Sequence, residues 1–161
     1  MFSLVVSGLS ELPLHKDGGF THIISLLDDG SEFEVGDNLF EDYHPHQRLL
    51  LKFDDVSYPN QYYVAPTHED VETILEFAKS IGETDRVLVH CVAGVSRSTA
   101  AASLLLLQAY PEMTAHEVFE EVVRIRPIAI PNFLILQHGG RILDRFDEII
   151  EAYKMRFSSI R

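Results

Sequence analysis

The sequence predicts an α/β domain, a central and mostly parallel sheet flanked by helices in three layers. Three observations point there. Short apolar runs of strand length fill the first half, and two of them, His22–Leu27 (HIISLL) and Arg86–His90 (RVLVH), are continuous rather than alternating. A strand reads that way when both faces of a parallel sheet are covered. The second half carries apolar residues at helical intervals. The RVLVH run then passes through a short loop into an Ala- and Leu-rich helix, the strand–loop–helix order of layered α/β folds.

Taken in order, residues 2–7 form a short β-branched run, read as a strand. HIISLL is the second strand, stopped by Asp28-Asp29-Gly30, a turn signal. Residues 48–53 (RLLLKF) are the third, and the intervening residues 31–46 are polar, aromatic and irregular. Residues 67–81 carry Val71, Ile74, Leu75 and Ala78 as a helical stripe that ends before Gly82. RVLVH is the fourth strand. Residues 97–110 form a helix that stops at Pro111. Thr114 is placed to cap a helix over 115–126, with Glu117 where a capping box needs it, and Pro127 ends that helix. Residues 132–156 continue with Phe133, Leu134, Leu136, Ile142, Leu143, Phe146, Ile149 and Ile150 at helical intervals. Gly139-Gly140 inside this stretch marks a kink, a close contact or a break between two helices.

Composition narrows the classes. Apolar residues make up 46% and charged residues 24% of 161 residues, which suits a globular chain rather than a disordered one. No repeat or linker divides the chain, so residues 1–161 read as a single domain. The balance of 13 Lys+Arg against 25 Asp+Glu gives a formal charge of −12. Such a surface repels polyanions and argues against nucleic-acid and acidic-membrane partners. The uncharged stretch 98–111 is shorter than the roughly 20 residues of a membrane span. Residues 1–8 lack the basic start of a signal peptide. One Cys excludes an internal disulfide and a CxxC site, and fits a reducing cytoplasm. Oligomeric state is not written in the sequence.

The chemistry concentrates in VLVHCVAGVSRS, residues 87–98. A strand delivers Cys91, five residues intervene before Arg97, and a long helix follows. Free N–H groups and the dipole at that helix start make an anion site. Gly94 lets the loop curl its amides inward into a nest. The backbone of Val92, Ala93, Gly94, Val95 and Ser96 then surrounds a phosphate, and Arg97 adds a forked donor matched to its oxygens. The same dipoles and guanidinium favour the thiolate at Cys91, a nucleophile beneath the bound phosphoryl group. Ser98 can donate to the sulfur as it leaves. His90 orders the loop rather than acting as a base. A covalent scheme also needs one carboxylate, first as acid and then as base. Asp54 and Asp55, just beyond RLLLKF, are the candidates, because parallel strands end on one edge of the sheet.

HCVAGVSRS resembles the HCxxGxxRS signature of the cysteine-dependent protein phosphatases, and its surroundings look like the compact, dual-specificity, bacterial-type branch. The resemblance runs from about Thr21 to Gln137 and takes in the THIISLL strand, LKFDDV, VLVHCVAGVSRSTA and RPIAIPNFLILQ. It implies that Cys91 is the nucleophile, Arg97 the phosphate clamp, Ser98 the thiol-release hydroxyl and one Asp the general acid. It favours Asp55 over Asp54, since LKFDDV looks like the F-x-D-I/V pattern of bacterial members. It also implies that Asn132 braces the phosphate loop and that neither metal nor cofactor is used. The chain has no Trp and so no Trp-Pro-Asp acid loop, which separates it from the large tyrosine-specific enzymes. Neutral Val92, Ala93 and Val95 favour a phosphoprotein or aryl phosphate over a polyphosphorylated inositide.

Plainer readings stand beside these. A lone Cys is usually a buried small hydrophobe. Acidic residues after a strand are commonly solvated turn residues. Ser96 and Asn132 could be simple N-caps. His44 and His46 read as loop histidines rather than metal ligands. Arg124, Arg126 and Arg141 could form a substrate patch, but read rather as ordinary surface or helix-end cations. The expected function is phosphate monoester hydrolysis through a phosphocysteine, with phosphotyrosine in proteins favoured over phosphoserine and phosphothreonine. The alternatives are a catalytically silent phosphoprotein-binding module and a rhodanese-like sulfur transferase.

Overall fold

The computed structural model describes residues 1–31, 40, 43–44 and 47–160. His46 and most of the segment read as irregular lie outside the described residues. Four strands form one sheet: β1 (Ser3–Ser7), β2 (His22–Leu27), β3 (Arg48–Lys52) and β4 (Arg86–His90). Their spatial order is β1-β4-β2-β3, and all three pairings are parallel. Ser7 and Ser25 both stand beside His90, and Leu27 beside Lys52. The chain therefore leaves all four strands at one edge, where Gly8, Asp28, Phe53 and Cys91 follow.

Side chains of adjacent strand residues point to opposite faces. Ile24, Leu26, Val87 and Val89 join one apolar cluster, while Ile23 and Leu88 join another. The continuous runs are thus explained by a sheet covered on both sides. The larger cluster packs against the α-helices: α1 (His68–Ala78), α2 (Arg97–Ala109), α3 (Ala115–Ile125), α4 (Phe133–Ile142) and α5 (Phe146–Phe157). On the opposite face, a 3-10 segment over Leu9–His15 supplies Leu12, which meets Phe20, Ile23, Phe40 and Leu88. That segment has Pro13 inside it and no helical stripe, so periodicity did not reveal it.

Helix α2 runs through the middle of the larger cluster and is buried from Arg97 to Leu107. Capping boxes start two of the helices, Thr67 with Asp70 at α1 and Thr114 with Glu117 at α3. The stretch 132–156 is two helices. The break falls at residues 143–145, where Asp144 takes a positive φ of 55°, and not at the glycines. Gly139 and Gly140 lie inside α4 as close contacts: a Cβ on Gly139 would overlap the Leu104 side chain, and one on Gly140 would press on Phe146.

Candidate active site

The loop over residues 91–97 leaves β4 at its buried centre and enters α2. The carbonyls of residues 92–96 are all engaged from outside. Val92 O accepts from Leu9 N–H at 2.8 Å, Val95 O from Ile130 N–H at 2.9 Å, and Ser96 O from Asn132 N–H at 3.0 Å. Gly94 O accepts from Arg126 Nε at 2.9 Å and Ala93 O from Arg126 Nη2 at 3.3 Å. In a planar trans peptide the next residue's N–H points opposite the carbonyl. With the carbonyls of 92–96 turned out, the amides of Ala93, Gly94, Val95, Ser96 and Arg97 turn in. The Gly94 amide donates to Cys91 Sγ at 3.2 Å. Gly94 makes the turn possible with φ +69°, and a Cβ there would meet Arg126 and Gly8.

Cys91 lies at the floor, 2% exposed, with Ser98 Oγ 3.1 Å from its sulfur. Arg97 is buried alongside. One nitrogen, Nη1, donates to Phe53 O and pairs with Asp28 Oδ1, both at 2.8 Å, while its buried Nε has no partner among the described residues. A buried, orphaned donor on a permanent cation beside five converging amides is the chemistry of an oxyanion receptor. The free start of α2 adds its dipole. Ser96 does not cap α2 with its side chain. Its hydroxyl instead donates to Asp55 Oδ1 at 2.7 Å.

Asp55 and Asp54 point to different partners. Asp55 Oδ1 also accepts from Asn132 Nδ2 at 3.0 Å. Asp54 is occupied by backbone: Oδ1 accepts from Asp29 N–H at 3.2 Å and Oδ2 from Val64 N–H at 2.8 Å. Asp55 therefore stands at the Cys91 loop, and Asp54 fastens the segment that carries it. Asn132 ties three elements together. It caps α4 through Ile135 N–H at 2.9 Å, holds Ser96 O with its own amide, and donates to Val56 O at 2.9 Å. His90 is fully buried, and that burial lowers its pKa from 6.5 to about 4, so its imidazole is neutral at ordinary pH. Its Nε2 lies 2.7 Å from Ser25 Oγ and its Nδ1 at a long 3.5 Å from Cys91 O.

No family model matches the chain. Dual specificity protein phosphatase 4 of Gallus gallus is 30% identical over 153 residues, covering 86% of this chain and 39% of that protein. The chain thus spans about two fifths of the length of this relative. Among solved structures, the PTP-2 phosphatase of Cydia pomonella superposes with a TM-score of 0.65 at 20% identity, over 84% of this chain and 83% of that one. The fold is that of the cysteine-based protein tyrosine and dual-specificity phosphatases. The human tyrosine phosphatase-like serine/threonine/tyrosine-interacting protein shares this phosphatase fold, with a TM-score of 0.61 at 23% identity over 87% and 90% of the two chains. A protein described only as phosphatase-like has the same fold, so activity must be argued from side chains.

Within the phosphatase fold, the structure brings Cys91, Gly94, Ser96, Arg97, Ser98, Asn132 and Asp55 together and sets Asp54 apart. Sequence reasoning missed two members. The sequence marks Asp28 only as a turn residue, yet it pairs with Arg97. Its position just past β2, on the edge where β4 ends, was the available signal. Arg126 was read as an ordinary helix-end cation; its side chain is only 14% exposed and it holds the loop's carbonyls. No helix of the described residues is long and apolar enough to cross a membrane.

Proposed function

We propose that this chain hydrolyses phosphate monoesters on proteins, phosphotyrosine foremost, through a phosphocysteine intermediate. The observation that carries the proposal is the Cys91 sulfur within hydrogen-bond reach of the Gly94 amide and the Ser98 hydroxyl, in a loop whose outward carbonyls turn the amides of residues 93–97 inward. The thiolate attacks phosphorus in line, forming the S–P bond as the ester P–O bond breaks. Loop amides and the Arg97 fork hold the three equatorial oxygens, whose charge they stabilise in the transition state. The departing alkoxide or phenoxide takes a proton from the Asp55 carboxyl. Ser96 Oγ and Asn132 Nδ2 both donate to Asp55 Oδ1, which leaves Oδ2 as the oxygen for the proton transfer. The Asp55 carboxylate then takes a proton from water, whose oxygen attacks phosphorus. The S–P bond breaks and the thiolate leaves, hydrogen-bonded by Ser98. Amides and a guanidinium supply the charge that a metal would otherwise supply, so the scheme runs without one.

The partners are phosphorylated proteins or small aryl phosphates, consistent with the neutral side chains of Val92, Ala93 and Val95 on the loop. A single thiol that must stay reduced suits the cytoplasm. The silent-binding alternative lacks support, since nucleophile, clamp and a carboxylate beside the loop are all present. Turnover of para-nitrophenyl phosphate in chelator tests the proposal. Cys91→Ser should abolish it while phosphate still binds, and Asp55→Asn should slow poor leaving groups most, by about 10²–10⁴-fold. Full activity in Cys91→Ser, or leaving-group sensitivity that appears in Asp54→Asn instead, would overturn these assignments.

A further inference from the structure

We propose that Glu11 and Arg126 form a clamp that sets the curvature of the 91–97 loop, and with it the loop's grip on a phosphoryl group. This rests on the phosphatase reading above. Three of the loop's five outward carbonyls, those of Val92, Val95 and Ser96, are fixed by backbone amides of neighbouring segments. The remaining two, Ala93 and Gly94 at the crown of the loop, depend on the side chain of Arg126. A backbone partner is placed by the fold; a side-chain partner must itself be held.

Glu11 does that holding. Arg126 Nη1 donates to Glu11 Oε2 and Nη2 to Glu11 Oε1, each at 2.7 Å. This is a two-point fork between planar groups, so it fixes the plane of the guanidinium and the direction of Nε. The pair reaches across 115 residues, from the 3-10 segment after β1 to the end of α3. Space behind the loop is tight: a Cβ on Gly94 would meet Arg126 Nη2 and Gly8 N, and one on Gly8 would meet Ala93 O. Arg126 holds Glu11 below the ordinary carboxylate range, so the pair stays charged at neutral pH. Neither residue touches a substrate in this arrangement. Both are positioning residues that act through the Ala93 and Gly94 carbonyls.

The test compares Arg126→Lys, Arg126→Met and Glu11→Gln with the parent chain. Inorganic phosphate is the probe, its binding read by protection of Cys91 from iodoacetate alkylation, alongside KM and kcat for an aryl phosphate. An ammonium keeps the charge but cannot serve two carbonyls and two carboxylate oxygens. Arg126→Lys should therefore weaken phosphate binding and raise KM about tenfold, close to the loss in Arg126→Met. Glu11→Gln should give a smaller loss in the same direction, and the double variant should be no worse than Arg126→Lys alone. Phosphate affinity within about twofold of the parent in folded Arg126→Lys would overturn the clamp and leave only a charge effect. Losses that merely track the unfolded fraction in a melt would also overturn it. Should the arginine variants fail to fold, Glu11→Gln carries the test from a half-buried position. If the parent shows no Cys91-dependent turnover while these binding losses appear, the phosphatase reading falls and the clamp stands.

Discussion

Burial holds His90 neutral through the range where an imidazole normally titrates, with a folded-state pKa of about 4 against an ordinary 6.5. Between those values the unfolded chain carries a proton at this position and the folded chain does not. Stability therefore rises with pH across that window and is lost as pH falls through it. His138 is shifted the same way by burial and adds to the effect. The carboxylates of Glu11, Asp85, Glu117 and Glu148 are held low by their partners, so their contribution disappears mainly at still lower pH. The expected cost of His90 between about pH 7 and about pH 5 is roughly 2 kcal/mol, read from urea midpoints. His90→Gln should remove most of that slope while lowering the plateau, because the bond to Ser25 is disturbed. An unchanged slope would mean that His90 is not held neutral. At the same scale, Asp54 and Asp55 illustrate how neighbours on an extended segment diverge. One binds the backbone amides of Asp29 and Val64, and the other accepts from Ser96 in the loop that follows Cys91.

Among the elements, α4 and α2 meet through Gly139 and Leu104, and this contact makes a usually favourable exchange costly. Gly→Ala inside an exposed helix gains about 1 kcal/mol from backbone entropy. Here the new methyl would overlap a fully buried Leu104 with no open side to move into. Gly139→Ala should therefore destabilise by about 1–3 kcal/mol in chemical denaturation, and a stabilised variant would refute the contact. Elements set by local rules were legible in the sequence. HIISLL and RVLVH are strands over the residues read, and Thr114 with Glu117 forms the capping box its spacing announces. The string from His90 to Ser98 was legible for the same reason: cysteine, glycine and arginine lie within one loop. Pairings that depend on strand order were not. Asp28 reaches Arg97 only because β2 lies beside β4, and Glu11 reaches Arg126 only because the segment after β1 crosses behind the loop. Of the three meanings open for Gly139-Gly140, a kink, a close contact or a break, the structure shows the close contact, while the break between α4 and α5 falls at Asp144.

Across the whole molecule, the excess of acids is not spread evenly between free and paired groups. Arg97, Arg124, Arg126, Arg145, Arg156 and Lys79 all sit in ion pairs with Asp or Glu, which removes much of the positive surface. The far field is thus that of the formal charge of −12, while the loop over residues 91–97 presents amides and a guanidinium at short range. On the proposed phosphatase reading, a phosphorylated substrate crosses the repulsive field before it meets the attractive site. Flanking charges decide how hard that is, since a basic flank is drawn in and an acidic flank pushed away. Screening sets the range, with a Debye length of about 30 Å at 0.01 M salt and about 8 Å at 0.15 M. For a phosphopeptide pair that differs only in flanking charge, the basic member should have the higher kcat/KM at low salt. The ratio should shrink as salt rises, by a factor on the order of ten for a difference of a few charges. The change should appear in KM and the association rate rather than in kcat, because the field acts before binding. A preference for basic flanks that persists unchanged at 0.15 M salt would point instead to direct pairing with specific carboxylates at the rim. No preference at any salt would mean that the site's own cations cancel the molecule's field where substrates approach.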